Sequence, residues 1–259
     1  MFLLSAVALL SLAFLSPATV AWHKSFSLKG RPEIQVANNN TDVRVYASDR
    51  KDVEAVLYAK RTISSDAVTD RKFENRVKLD VRLPSQWEVG FDSGVLELRV
   101  PLGCDIDVQS RNGSIMVKDA EGKLTLHTEN GNIAALAIRG TLDIESGHGD
   151  LQVDGTVTMA SLHTGTGNIA AQIDPGSKMN SNWVVRTGDG NVDLRLPEDF
   201  STDLDVNSGD GNIRLDFPMA MVGGGRQSSF RGPINGGGQH LEVHCDKGNI
   251  MLRKIAGSI

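Results

Sequence analysis

His127, Glu145, His163 and His244 are the residues of this chain whose types and spacing most readily suggest chemistry. The first three stand 18 residues apart, and stacked His-Glu-His could bind a metal or change charge near neutral pH. A solvated strand face explains them more simply, because Arg186 and Asn207 interrupt the same column. The carboxylates Asp143, Glu145 and Asp150 could supply the acid and base of a polysaccharide-cleaving enzyme. Such residues recur along the whole chain without clustering, so no catalytic residue is assigned. Gly188-Asp189-Gly190-Asn191-Val192-Asp193 resembles calcium-binding glycine-aspartate repeats, but its spacing departs from the nonapeptide pattern. Neither Gly223–Gly225 nor Gly236–Gly238 is followed by the Lys-Ser/Thr of a phosphate loop. The expectation is therefore no metal, no cofactor and no enzymatic activity.

The elements that carry these residues are far more regular than the residues themselves. Turn glycines recur at Gly113, Gly131, Gly149, Gly167, Gly190, Gly211 and Gly248, the first four at a period of 18 residues. A fixed period means stacked units. Seven residues before each glycine stand Ile106, Leu124, Leu142, Ala160, Trp183, Leu204 and Leu241; five before stand Val108, Leu126, Ile144, Leu162, Val185, Val206 and Val243. Two after come Ile115, Ile133, Leu151, Ile169, Val192, Ile213 and Ile250; four after come Val117, Ala135, Val153, Ala171, Leu194, Leu215 and Leu252. Each copy thus reads as two strands with period-two alternation around a turn, one face inward.

Two polar columns frame the turn. Ser110, Thr128, Ser146, Thr164, Thr187, Ser208 and Cys245 lie three residues before the glycine; Ser114, Asn132, Asp150, Asn168, Asn191, Asn212 and Asn249 lie one after. Turn chemistry accounts for both, with glycine supplying positive φ. Two geometries fit. In an all-β solenoid, resembling a single-stranded β-helix, each unit of about 18 residues is one coil stacked in parallel on the next. In a meander of repeated β-hairpins, Leu126 would face Ala135 across the turn. Equal unit lengths and the repeated polar columns favour the solenoid.

Residues 1–21 read as a signal peptide: Phe2–Leu15 is an apolar run, Pro17 ends it, and Thr19-Val20-Ala21 offers small residues before Trp22. No Lys or Arg precedes the run, so a retained anchor stays open. Residues 22–105 read as a β-rich cap continuous with the array of 106–259. The cap contains a divergent copy at Ile34, Val36, Asn38 and Val43, with Thr41 in the glycine position, that opens the mature chain. Strands are expected at Val53–Tyr58, Val77–Leu83 and Val95–Val100, and a short helix entered at Ser64 or Ser65 is one reading of the polar stretch from Arg61 to Arg76. Such ends shield a stack from edge pairing. Formal net charge is −5 with no basic stripe, which excludes the electrostatic signature of nucleic-acid binding. Cys104 and Cys245 enter the first and last regular copies, about six coil spacings of 4.8 Å apart, so both are expected as free thiols.

Thr128-Glu129-Asn130-Gly131-Asn132-Ile133, Thr164-Gly165-Thr166-Gly167-Asn168-Ile169, Thr187-Gly188-Asp189-Gly190-Asn191-Val192 and Ser208-Gly209-Asp210-Gly211-Asn212-Ile213 resemble the repeats of the bacterial putative-adhesin family, exported β-strand-repeat domains of unknown function. Gly232 and Ile234-Asn235-Gly236-Gly237-Gly238, before the final copy, fit as well, and the resemblance covers roughly residues 34–254. It implies interaction with an envelope or extracellular glycan or protein, in the periplasm or at the cell surface. It brings no catalytic residues. A passive envelope scaffold and a solenoid polysaccharide-degrading enzyme are the rival functions.

Overall fold

The computed structural model describes residues 19–84, 94–217 and 228–255. Every regular element in it is a strand. The first ten are β1 (Thr19–Ser27), β2 (Glu33–Asn40), β3 (Asp42–Ser48), β4 (Asp52–Ala59), β5 (Val68–Phe73), β6 (Arg76–Val81), β7 (Val95–Pro101), β8 (Asp105–Asn112), β9 (Ile115–Lys118) and β10 (Glu121–Asn130). There follow β11 (Ile133–His148), β12 (Leu151–Thr166), β13 (Ile169–Ile173), β14 (Trp183–Asp189), β15 (Val192–Pro197), β16 (Thr202–Asp210), β17 (Ile213–Leu215), β18 (Ser229–Ile234), β19 (His240–Lys247) and β20 (Ile250–Ile255). All belong to one continuous hydrogen-bonded network.

Pairing across the repeats is parallel and in register. Leu124 faces Ile106 on one side and Leu142 on the other; Leu142 faces Ala160; Ile133 faces Ile115 and Leu151. Hairpin pairing of Leu126 with Ala135 does not occur, since Leu126 pairs with Val108 and Ile144. The strands entering each glycine turn form a leading sheet and those leaving it a trailing sheet. The long strands β11 and β12 belong to both, bending at a second corner where Ala137 takes a left-handed φ of 53°.

The four apolar columns fill the space between the sheets. Their members are buried in every layer except at Ile213 and Leu215. Burial of each Val, Leu or Ile contributes about 1.5–3 kcal/mol, so the columns set the fold.

Stacking order departs from chain order at both ends. The divergent copy, β2 with β3, lies between β6–β7 and β8–β9. In stacking order β6 and β7 lie outside it, and in chain order β1 precedes it. The final copy, β19 with β20, inserts between β14–β15 and β16–β17. The order at the turn is thus Gly190, Gly248, Gly211. The three cap strands appear as β4, β6 and β7. The expected short helix does not: the stretch after Ser65 is a turn followed by β5, held antiparallel on β6. Edge pairing available from β6 outweighs a helix whose apolar face is too small to bury.

Both cysteines are free and buried. With the final copy inserted inward, they lie five layers apart rather than six, still far beyond disulfide reach.

Candidate binding surface

The turn corner is built by two hydrogen-bonded ladders. Five hydroxyls of the first polar column donate to the glycine carbonyl of the preceding layer: Thr128 to Gly113 (3.2 Å), Ser146 to Gly131 (2.9 Å), Thr164 to Gly149 (2.8 Å), Thr187 to Gly167 (2.8 Å) and Ser208 to Gly248 (2.9 Å). Cys245 holds the same slot, its Sγ 3.0 Å from the Gly190 carbonyl. In the second ladder each side-chain oxygen accepts the next layer's backbone N–H: Asn132 from Asp150, Asp150 from Asn168, Asn168 from Asn191, Asn191 from Asn249 and Asn249 from Asn212, at 2.7–3.0 Å.

Glycine between the ladders has two causes. Gly113, Gly131, Gly167, Gly190 and Gly248 take positive φ, but Gly149 and Gly211 are not in the left-handed region. At all seven a Cβ would stand within 2.3 Å of the neighbouring layer's carbonyl oxygen. Close approach of the layers is therefore the requirement common to the column.

These contacts consume most of the residues with chemical promise. The Asp150 carboxylate serves the ladder. Asp189 pairs with Lys247 at 3.5 Å, and Asp193 with Arg195 at 3.3 Å and Arg253 at 3.4 Å. Burial pushes the Cys104 thiol up to about 12, with Asp105 adding to the rise and Arg31 opposing it. Burial also raises the Cys245 thiol, helped by Asp246 and Asp189. Neither is a poised nucleophile.

The histidine column lies on the outer face of the leading sheet. His127 Nε2 is 3.3 Å from Glu145 Oε2, with both side chains 49% exposed. Glu145 also stands beside His163, which faces Arg186. Arg186 turns to Glu242 at 2.6 Å, and His244 to Asp246 at 2.8 Å. Among the described residues no group of three or more His, Cys, Asp or Glu side chains could hold a metal ion.

A groove of about 670 Å³ opens on the same face, toward the N-terminal layers. Ala37, a short side chain in the column of Gln109 and His127, leaves the depression. Its floor is Asn38, which is buried and donates to Ser110 Oγ (2.9 Å) and the Thr41 carbonyl (2.6 Å). Its rim carries the pairs Arg82–Asp80 (2.6 Å) and Arg111–Glu129 (3.6 Å). Asn39 anchors the wall by exchanging two hydrogen bonds with the Leu83 backbone, at 2.8 and 2.9 Å. The polar side chains of the groove are amides, guanidinium groups, carboxylates and an imidazole, able to hydrogen-bond hydroxyl-rich or peptide-like ligands.

Sequence reasoning reached His127 but missed Asn39, Arg82, Gln109 and Arg111. Gln109 and Arg111 lie one 18-residue period before His127 and Glu129 and were within reach of the repeat, whereas Asn39 and Arg82 come together only because β6 stacks outside β2, an inversion that leaves no periodic mark in the chain.

A single family model matches the chain twice, over residues 32–168 and 93–253. Two overlapping matches displaced along the chain are what internal repetition produces. No curated protein matches. Among solved structures, a putative adhesin from Bacteroides fragilis superposes with a TM-score of 0.53 at 14% identity, over 90% of this chain and 96% of that one. A putative cell adhesion protein from Clostridium sporogenes gives a TM-score of 0.44 at 11% identity, over 92% of this chain and 100% of that one. A putative lipid binding protein from Parabacteroides distasonis gives 0.41 at 12%, over 92% and 96%. Likeness at these identities speaks to fold alone. From the two long family matches, the chain belongs to the Toastrack family, DUF4097, whose defining domain has no known function.

Proposed function

We propose that this is a noncatalytic, exported binding protein of the bacterial cell envelope, a β-solenoid rod that presents the outer face of its leading sheet to a glycan or a protein. The polar groove around Asn39, Gln109, Arg111 and His127 carries the reading. It supplies convergent hydrogen-bonding groups on a support whose every layer is tied to the next. In the same reading residues 1–21 direct export, residues 22–105 cap the rod and residues 106–259 form the array. The apolar run Phe2–Leu15 lies outside the described residues. Cleavage before Trp22 would leave Trp22–Ser27 of β1 paired with β4. Among the described residues no helix is long and apolar enough to cross a membrane, which says nothing about strands.

The test incubates the folded protein with cell-wall and matrix polysaccharides and with envelope protein fractions, measuring bound protein and released sugar ends together. Binding without release, lost on combining Gln109→Ala with His127→Ala, supports the reading. Released ends abolished by replacing Asp143 or Glu145 would make the protein an enzyme instead. Binding that is indifferent to the groove variants would move the site elsewhere and overturn the assignment.

A further inference from the structure

The two ends of the rod are staggered in opposite senses. The leading sheet runs β5, β6, β2, β8, β10, β11, β12, β14, β19, β16, β18, and the trailing sheet runs β1, β4, β7, β3, β9, β11, β12, β13, β15, β20, β17. Each thus has eleven strands among the described residues, displaced by one layer. At the N-terminal end the trailing sheet projects one strand further, with β1 beyond β4. At the C-terminal end the leading sheet projects instead, with β18 beyond β16, while among the described residues β17 is the outermost strand of the trailing sheet.

The polarity matches as well. β1 is antiparallel to β4 and β4 to β7, so β1 runs in the direction of β17. β5 and β18 each run opposite to the strand they cover, so they share a direction with each other. A copy translated along the rod would therefore set its β1 parallel to β17 and its β5 parallel to β18, filling both steps at once. A two-fold arrangement joining β17 to β17 would place two β18 strands in a space with room for none.

The open step is apolar. Ile213 and Leu215, whose counterparts are buried in every other layer, are half-buried here, and Phe230 of β18 is partly buried beside them. We infer that the C-terminal step receives the N-terminal step of a second copy of this chain, so that the protein associates head to tail. Because the contact is heterologous it does not close, and successive copies extend a filament. On the inner side of the N-terminal step, Lys24 Nζ bridges to Asp70 at 2.7 Å, and this pair must be buried in the joint. An inward charged pair on an edge weakens association, so assembly is reversible and dependent on concentration.

Sedimentation velocity of the whole exported chain, from micromolar to millimolar, tests this. The expected result is a mass that rises with concentration. Leu215→Lys blocks one end and Trp22→Lys the other; each should stay monomeric alone, with an unchanged strand spectrum, while their mixture forms a one-to-one dimer. Phe230→Lys replaces Leu215→Lys if the latter fails to fold. A chain monomeric throughout, self-association by either blocked variant, or a mixture that stays monomeric overturns the inference.

Discussion

Gly149→Ala isolates the physical reason for the turn glycine. Gly149 is not in the left-handed region, so an alanine there carries no conformational penalty of that kind. Its Cβ, however, would stand 2.0 Å from the Gly131 carbonyl oxygen and 2.5 Å from the carbonyl carbon. Relief to an ordinary contact of 3.4 Å requires an opening of about 1.4 Å between layers whose normal spacing is about 4.8 Å. Four hydrogen bonds span this point: Gly131 N to the His148 carbonyl (2.9 Å), Ile133 N to the Asp150 carbonyl (3.0 Å), Ser146 Oγ to the Gly131 carbonyl (2.9 Å) and Asp150 N to Asn132 Oδ1 (2.8 Å). At about 1 kcal/mol each, their loss costs about 3–4 kcal/mol, a fall in Tm of roughly 6–16 °C for a domain of this size. The control is Gly176→Ala, where φ is +91° but nothing lies within 4 Å of the added carbon. Only the left-handed penalty of about 1–2 kcal/mol applies there. Calorimetry of both variants, with hydrogen exchange at the Gly131 and Ile133 amides, decides. A Gly149→Ala protein as stable as the Gly176→Ala one would refute the close-approach argument.

Thr164→Val keeps shape but removes the 2.8 Å bond to the Gly149 carbonyl, and denaturant titration should show a loss of about 1–2 kcal/mol. The Cys104 thiol is held up to about 12 from an ordinary 9.0. Its contribution is therefore complete below pH 9 and lost as pH rises toward 12, a few kcal/mol in all. Unfolding followed across that window should be flatter in Cys104→Ala than in the parent protein. Ile133→Asp puts a charge at a position 1% exposed and should abolish the folded state by circular dichroism. His127→Ala, on a side chain 49% exposed, should stay within about 0.5 kcal/mol.

The columns were legible because each has a local cause that recurs. Leu124, Leu142 and Ala160 are apolar for the same reason in every layer, and Gly131 and Gly149 each meet the carbonyl of the turn glycine one layer before. Cys245 shows how strict the slot is: the thiol stands where other layers have a hydroxyl, and it makes the same bond. The hydroxyl column was legible as a stacked ladder with Cys245 in one of its slots, but its acceptor, the glycine carbonyl of the layer before, was not.

Layer order was illegible for a different reason. Whether residues 240–255 stack on β15 or on β17 makes no difference to their periodicity, because Leu241 and Val243 meet apolar partners either way. What separates the alternatives is the end. The strand left outermost needs an antiparallel cover, and Ser229–Ile234 can fold back on β16 only while β16 is terminal. The final copy is paired with β14–β15 on one side and with β16–β17 on the other. Destabilising the final copy should therefore loosen the whole C-terminal end. Leu241→Ala should accelerate exchange in β16 and β17 along with β19, whereas Leu204→Ala, in the outer layer, should leave β14 protected.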